Sequence, residues 1–371
     1  MRSYYSYFKK FFLVKIIVIG NDVPSALADI KDVIKIDESR LSWPISESYK
    51  VGMIARDYKF DILHCFDSSS LLVARWSLMF HSTPVLWTKC GGKTLKRYTP
   101  RGFPDIVFHG EDYDFYFKKM AKKKSHDIAI IPNRFSALEF SSGQDGQVGK
   151  KKRLIVHDKD CFNIIRVSRI SKKYKEGFLH AIKFSEWLCS NGCPAHLYII
   201  GYPEDKNLVL ELQSIISDKR VTVVTDKELT RNASRHLWEA DAVIASGRGA
   251  IESLAMGKLT FISSDKGGLI PLCKETFSDA LYYNFSERTP SNESIDPKKW
   301  LIQILQSPAL SEVYFTEAQS FFKESLDLDS AKDEILDVYD RAAKRNFRGS
   351  VVDLLMHSGF LIIPKLRRAV D

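Results

Sequence analysis

Two series of short apolar runs, each alternating with helix-patterned segments, constrain the fold of this chain more than any other feature. The first series begins with the apolar run 14–19, which ends in Gly20 and Asn21, and residues 24–30 then have the pattern of a helix start. It continues with apolar runs at 61–65, 84–87, 105–108 and 128–131 and with helical spacing at 69–80 and 112–122. The second series has apolar runs at 163–167, 196–200, 221–224, 242–245 and 259–263, separated by helical patterns at 177–189, 207–217, 230–239 and 250–256. Such alternation predicts parallel sheets that are covered by helices on both faces.

A polar segment separates the two series. Residues 141–153 read SSGQDGQVGKKKR, which is the composition of an exposed linker, because Ser, Gly and Lys dominate it. The 371 residues also exceed the roughly 250 to 300 at which one hydrophobic core stops growing. We therefore predict an α/β protein with two domains, residues 1–148 and 149–340, followed by a helical segment at 341–371.

Both ends of the chain are apolar and basic. The stretch 311–371 is helical by pattern and contains the apolar block 351–363. A proline and three basic residues close that block: Pro364, Lys365, Arg367 and Arg368. A helix that packs back on the first domain accounts for this pattern, and a helix on a membrane surface is the alternative. Residues 1–20 lack a cleavage site and a charge-free run near the roughly 20 residues that span a bilayer, so we predict neither a signal peptide nor a transmembrane helix.

Charge and cysteine usage bear on partners and compartment. The 55 Lys and Arg residues against 46 Asp and Glu give a net charge of +9, which favours anionic partners such as nucleotides, lipid phosphates or nucleic acid. A hydrophobic content of 44% with 27% charged residues excludes a mainly disordered chain. The six cysteines show no CxxC spacing, which favours free thiols in a reducing cytoplasm.

The segment 240–262 has the pattern of a strand, a glycine turn, a short helix and another strand. Ser246, Gly247 and Gly249 follow the first of these strands, and open α/β sheets bind ligands at the carboxyl ends of their strands. Glycines there let a diphosphate approach the N–H groups of a helix N-terminus, whose dipole favours an anion. Glu252, one turn later, can accept hydrogen bonds from ribose hydroxyls. The alternative interpretation is a tight turn with a surface glutamate.

Four further side chains follow strand ends. Arg169 and Lys175 lie six residues apart after the strand at 163–167, and two fixed cations stabilise the charge that grows on a leaving diphosphate. The alternative for Arg169 is a surface salt bridge of little energetic value. Arg248, inside the glycine turn, is either a third diphosphate or sugar contact or a solvent-facing residue. His109 is either a residue of the ligand-binding cleft or a structural histidine.

Together these segments resemble GT-B glycosyltransferases of the family 4 type. Residues 167–177, VSRISKKYKEG, resemble the family's strand, Gly-Arg-Leu and Lys-Gly run, and 252–257, ESLAMG, resembles its Glu-Ala-Leu-Ala-x-Gly helix. Shorter matches are IIG at 199–201, TPVLWT at 83–88 and IIPNR at 130–134. The resemblance implies two Rossmann-like domains that face a central cleft. The first domain would bind the acceptor and the second the nucleotide-sugar donor.

The resemblance also implies roles for individual residues. Arg169 and Lys175 would hold the donor diphosphate as the catalytic cations, and Glu252 would hold the ribose. The remaining donor-binding candidates are Ser246, Gly247, Arg248, Gly249, Gly201, Val224 and Thr225, of which the backbone near the last two would contact the base. Candidates for binding the acceptor or the sugar are Gly20, Asn21, Lys89, Cys90, Gly91, Gly92 and His109.

The chain departs from the family at three positions. Where the family has the first glutamate of a Glu-x7-Glu pair, facing the sugar, this chain has Ile244. Where the family often has His-Gly, this chain has Cys90-Gly91-Gly92 after Lys89, so Lys89 and the glycine amides could bind an acceptor phosphate or part of the sugar. Glu176 also separates Lys175 from the glycine that follows.

Metal and cofactor motifs are missing from the sequence. No Asp-x-Asp pair follows a strand and no histidine cluster has metal-ligand spacing, so we predict a metal-independent reaction without a cofactor. The chain also lacks the Gly-x-x-x-x-Gly-Lys-Ser/Thr motif of ATPases and a Gly-x-Gly-x-x-Gly after the first strand. The expected donor is a nucleoside-diphosphate sugar of the UDP or GDP type.

These observations predict a hexosyltransferase-like glycosyltransferase that moves a sugar to a glycan or lipid-linked acceptor. The resemblance suggests retention of configuration and a role in bacterial surface polysaccharide synthesis, such as lipopolysaccharide or capsule. We expect a cytoplasmic protein, with the inner face of the cell membrane as a candidate site and no nucleic-acid partner. The alternatives are a nucleotide-sugar 2-epimerase of the same fold and a basic protein that binds nucleic acid or membrane. The last alternative leaves Arg169, Lys175 and Glu252 unexplained.

Overall fold

A computed structural model describes residues 2–24, 27–39, 42–91, 99–120, 128–136, 161–216, 220–231, 233–345 and 351–370. The chain divides into two compact units: unit 1 is Met1–Arg134 with Ala331–Asp371, and unit 2 is Phe135–Ser330. The linker at 141–153 and the expected boundary between residues 148 and 149 lie outside the described residues. Residues 331–340, which the sequence interpretation placed in the second domain, belong to unit 1.

Unit 1 contains two parallel sheets. Strands β1 (Ile16–Ile19) and β2 (Val33–Ile36) form the first. The second has the order β3 (Leu63–Cys65), β4 (Val85–Lys89), β5 (Ile106–Val107) and β6 (Ala129–Ile130). All three pairings in this second sheet are parallel. Every apolar run of the first series that the sequence predicted as a strand therefore overlaps one.

Within the described residues, the helices of unit 1 that precede unit 2 in the chain are α1 (Arg2–Phe8), α2 (Ile45–Tyr58), α3 (Ser68–Ser77) and α4 (Gly110–Met120). Asp67 begins α3 with a capping box, because its Oδ1 accepts the N–H groups of Ser69 and Ser70 and its own N–H donates to Ser70 Oγ. The expected helix at 24–30 is wrong for its described part, where Leu27 and Ile30 donate to carbonyls three residues earlier, as in tight turns.

Unit 2 contains one six-stranded sheet in the order β12-β11-β10-β7-β8-β9. Its strands are β7 (Phe162–Val167), β8 (Ala195–Ile200), β9 (Val221–Val224), β10 (Ala242–Ala245), β11 (Leu259–Ser263) and β12 (Leu269–Pro271). All pairings are parallel except that of β12 with β11. The chain moves outward from β7 through β8 to β9 and then returns to β10 on the other side. The carboxyl ends of β7 and β10 therefore flank a topological switch point, where sheets of this kind bind ligands.

Helices surround this sheet and bury its strands. They are α5 (Lys175–Ser190), α6 (Lys206–Ile215), α7 (Lys227–Arg231), α8 (Arg248–Ala255), α9 (Lys274–Tyr282), α10 (Pro297–Gln306) and α11 (Pro308–Ser325), with 3-10 turns at Lys172–Tyr174 and Ala233–Glu239. Ile164, Leu197 and Ile244 in the central strands are fully buried, as expected for parallel strands covered on both faces. The predicted α/β fold with parallel sheets is confirmed.

The last two helices, α12 (Lys332–Lys344) and α13 (Val351–Val370), belong to unit 1. Helix α13 packs on α3: Arg75 Nη2 lies 2.6 Å from Asp353 Oδ2, and Trp76 Nε1 donates to Ser358 Oγ at 3.0 Å. No helix in the described part of the chain is both long and apolar enough to cross a bilayer.

Candidate functional site

Arg169 lies in the loop that follows β7, at the switch point of unit 2. Its Nη1 donates to Glu204 Oε1 at 2.8 Å and its Nη2 donates to the Tyr174 hydroxyl at 3.3 Å. The Arg169 side chain is 60% exposed, and exposed ion pairs contribute little to stability. The guanidinium is therefore held by a weak internal partner that a stronger anion can replace.

Lys175 is the first residue of α5, and its Nζ donates to Glu211 Oε1 at 2.5 Å. This hydrogen bond raises the pKa of Lys175. A cation at a helix N-terminus is disfavoured by the helix dipole, so Glu211 offsets an unfavourable placement. The two cations that the sequence predicted for the diphosphate thus each hold one of the protein's own carboxylates.

Glu252 and Arg248 lie one turn apart on α8, which follows β10. Glu252 is only 4% exposed, and Arg248 Nε donates to its Oε1 at 2.6 Å. The Arg248 guanidinium also lies over the Phe135 ring, 5.0 Å from the centroid. Arg248 therefore pairs with Oε1 of the carboxylate that the sequence predicted for the ribose, and little of that carboxylate is exposed.

The glycine turn between β10 and α8 contains a left-handed glycine and leads directly into the first N–H groups of the helix. Gly247 has φ 56°, a left-handed conformation that favours glycine. The Gly247 N–H, however, already donates to Phe285 O at 2.6 Å. The N–H groups of Arg248 and Gly249 remain for a ligand, because the first turn of a helix has no internal acceptors for them. Ser246 Oγ is buried and has no hydrogen-bond partner within the described ranges.

Gly201 and Val224 have clear structural roles at the ends of β8 and β9. A Cβ on Gly201 would lie 1.9 Å from the carbonyl oxygen of Ser168, so only glycine fits this approach of two backbones. Gly201 N–H donates to Val224 O at 3.1 Å, which occupies that carbonyl. Thr225 follows Val224 and is partly exposed.

Lys89 and His109 at the strand ends of unit 1 are buried around Asp112. Lys89 is 6% exposed, and its Nζ lies 3.4 Å from Asp112 Oδ2 and donates to Gly91 O. His109 accepts the Asp112 N–H on Nδ1 at 3.2 Å, a cap for α4, and its Nε2 lies 3.1 Å from Asp112 Oδ2. Sequence reasoning missed Asp112; the signal was a histidine three residues before an aspartate at a helix start. The Lys89 and His109 side chains thus stabilise the strand-end turns from inside unit 1.

The other candidates of unit 1 lie at its surface or in turns. Gly20 has φ 152° and donates its N–H to Ile36 O at 3.0 Å, and Asn21 next to it is exposed. Cys90 is an exposed residue without a disulfide partner and lies beside Gly91, whose φ of 84° favours glycine. Gly92 lies outside the described residues. Among the residues that the structure places, no group of three His, Cys, Asp or Glu side chains could hold a metal ion.

The comparisons with known proteins identify the fold. No family model and no curated protein matches the sequence. The structure is similar to a glycosyltransferase from Rickettsia africae, with 14% identity over 89% of this chain and 91% of that protein and a TM-score of 0.60. It is similar to Anabaena HepE in complex with UDP-glucose, with 14% identity, 83% and 86% coverage and a TM-score of 0.54. It is also similar to a putative UDP-N-acetylglucosamine 2-epimerase from Listeria monocytogenes, with 14% identity, 92% coverage of both chains and a TM-score of 0.57. The chain therefore has the GT-B fold.

Proposed function

We propose that this protein is a glycosyltransferase that uses a nucleoside-diphosphate sugar. The observation that carries the proposal is the switch point of unit 2, where Arg169, Lys175 and the glycine turn before Glu252 follow two neighbouring strands. This position is where α/β sheets bind nucleotides, and two cations with a helix N-terminus suit a diphosphate. The GT-B structures that resemble the chain support this assignment of the fold's ligand site.

In the proposed reaction the cations stabilise the leaving nucleoside diphosphate. Arg169 and Lys175 exchange Glu204 and Glu211 for diphosphate oxygens, and this neutralises the charge that develops when the sugar–oxygen bond breaks. Arg248 turns from Glu252 to the diphosphate, and the freed carboxylate accepts the ribose hydroxyls. The reaction is metal-independent, because these cations supply the positive charge. Retention of configuration is part of the proposal.

UDP is the proposed nucleoside diphosphate, because the similar HepE structure contains UDP-glucose. The proposed acceptor is a glycan or a lipid-linked glycan of a bacterial surface polysaccharide. Exposed apolar side chains on α13, which belongs to unit 1, support a location at the inner face of the membrane: Val351, Val352, Leu355 and Met356. Co-sedimentation with anionic vesicles tests this location, and failure to co-sediment at low salt would rule it out.

A thermal-shift screen of the purified protein against UDP, GDP, ADP and CMP and their sugar conjugates, without added metal, tests the proposed function. We expect one nucleoside diphosphate to raise the melting temperature. The Arg169→Ala and Glu252→Ala variants should lose this effect. Absence of any shift in the wild-type protein would contradict the donor-site assignment.

A nucleotide-sugar 2-epimerase is the second candidate function, and the similarity to the Listeria protein favours it. The two reactions differ in their requirement for an acceptor, because an epimerase converts the nucleotide sugar alone. Incubation with UDP-N-acetylglucosamine in the absence of acceptor, followed by product analysis, separates them. A C2-inverted nucleotide sugar as the product would favour the epimerase over the transferase.

A further inference from the structure

Arg166 on β7 is a fully buried arginine whose hydrogen-bonding groups are not satisfied. It is 0% exposed, and Nε, Nη1 and Nη2 each lack a hydrogen-bond partner among the described residues. Its ion-pair partner is Glu287, whose Oε1 lies 3.6 Å from Arg166 Nη2 and also lacks a hydrogen bond. A buried charge is costly unless it is both paired and hydrogen-bonded, and this pair meets only the first condition.

Another buried arginine of this chain is bonded differently. Arg75 in unit 1 has a side chain that is 2% exposed, and its Nη2 donates to Asp353 Oδ2 at 2.6 Å. Its Nη1 lies 3.0 Å from His357 Nδ1. Both Nη atoms of Arg75 thus have close polar partners, whereas neither Nη atom of Arg166 has a hydrogen bond within the described residues.

The surroundings of Arg166 suit an anion. A Cβ on Gly177 would lie 2.6 Å from Arg166 Nη2, so the guanidinium packs against the first turn of α5 and the glycine makes room for it. Helix α5 has 16 residues, and its first N–H groups lack internal acceptors and favour an anion. A buried cation and a helix N-terminus therefore meet at one place, beside the loop that contains Arg169.

Glu287 is the accessible member of the pair. Its side chain is 18% exposed, whereas that of Arg166 is completely enclosed. Burial lowers the pKa of Arg166 to about 10 and raises the pKa of Glu287, against their mutual attraction. The partly exposed Glu287 carboxylate is therefore the member of the pair that another anion can displace, because the incoming anion takes over the charge of Arg166.

We propose that Arg166 binds the terminal phosphate of the nucleoside diphosphate and that Glu287 occupies the place of this phosphate in the ligand-free protein. The inference rests on the proposed function and adds a second point of diphosphate recognition to Arg169 and Lys175. The planar guanidinium offers two parallel N–H groups, which match two phosphate oxygens and satisfy donors that Glu287 leaves unbonded.

Binding of UDP, UMP and inorganic pyrophosphate to the wild-type protein and to the Arg166→Met, Arg166→Lys and Glu287→Gln variants tests the inference. We expect R166M to keep or raise the melting temperature without ligand, because an apolar side chain replaces an unsatisfied buried charge. Its affinity for UDP should fall by about tenfold or more and approach that for UMP, with R166K intermediate. E287Q should bind UDP more tightly than the wild type.

Arg75→Met is the matched control, because it also removes a buried arginine. We expect R75M to lower the melting temperature and to leave UDP affinity unchanged, since Arg75 belongs to unit 1 and bonds to Asp353. Unchanged UDP affinity in R166M and R166K, or weaker UDP binding by E287Q, would overturn the inference while the proposed function stands. Arg166-dependent binding of pyrophosphate, without binding of any nucleotide sugar, would support the inference and contradict the proposed function. If R166M does not fold, R166K and E287Q decide the question.

Discussion

Replacing Glu204 with glutamine removes the carboxylate that holds Arg169 in the ligand-free protein. The Arg169 and Glu204 side chains are 60% and 37% exposed and 2.8 Å apart, and such exposed pairs contribute about 0.2–1 kcal/mol. The donor must displace this pair before Arg169 can bind the diphosphate. Glu204→Gln should therefore strengthen UDP binding by up to about 1 kcal/mol, which is about fivefold.

Titration calorimetry with UDP at low salt measures this effect, because salt screens exposed charges. Glu317→Gln is the matched control: it makes the same change of net charge at another exposed pair of unit 2, with Lys274 at 3.5 Å. We expect E317Q to bind UDP as the wild type does. The competition between Glu204 and the donor is refuted if E204Q binds UDP no more tightly than the wild type while Arg169→Ala loses binding.

Three further predictions concern stability and metal. Gly201→Ala should lower the free energy of unfolding by about 2–3 kcal/mol or more in urea titrations, because its Cβ would lie 1.9 Å from a carbonyl oxygen. Gly359→Ala is the control and should not destabilise the protein, because a Cβ at Gly359 meets no atom within 4 Å. Burial lowers the pKa of both His64 and His357 to about 3, with Arg75 adding to the effect at His357. The unfolded chain therefore takes up protons below about pH 6.5 that the folded protein does not. Stability should fall by about 2 kcal/mol per histidine between pH 7 and pH 5, and His357→Gln should remove about half of this loss in urea titrations at the two pH values. EDTA should leave the UDP-dependent rise in melting temperature unchanged, and a loss that Mg²⁺ restores would contradict metal independence.

The sequence predicted elements best where burial is most complete. The strands of unit 2 are nearly continuous apolar runs because helices cover both faces of their sheet, so β7 to β11 could be located from the sequence. Strand β2, VIKI, and helix α2, which contains Gly52 and several polar residues, carry a weaker pattern and were missed. Their formation depends on packing within unit 1 rather than on local periodicity.

For the candidate site, the sequence could predict positions and not partners. Arg169 and Glu252 follow strand ends, and the topology of the sheet fixes those ends. The partner of Arg169 is 35 residues away in the chain, and no spacing rule connects residues at that separation. The burial of Lys89 beside Asp112 likewise depends on tertiary distances, which the spacing of the two residues in the sequence does not reveal.

The stretch 285–287 connects parts of unit 2 that the sequence keeps far apart. Phe285 O accepts the Gly247 N–H of the glycine turn, Glu287 O accepts the Asp265 N–H after β11, and the Glu287 side chain faces Arg166 on β7. Phe285 is also held at φ 52°, which costs a non-glycine residue roughly 1–2 kcal/mol and is sustained by these contacts. Only one residue separates Phe285 from Glu287, so the carbonyl that fixes Gly247 and the carboxylate that faces Arg166 belong to one short stretch of chain. A substitution in this stretch would therefore act on the glycine turn, on the end of β11 and on the Arg166 ion pair together.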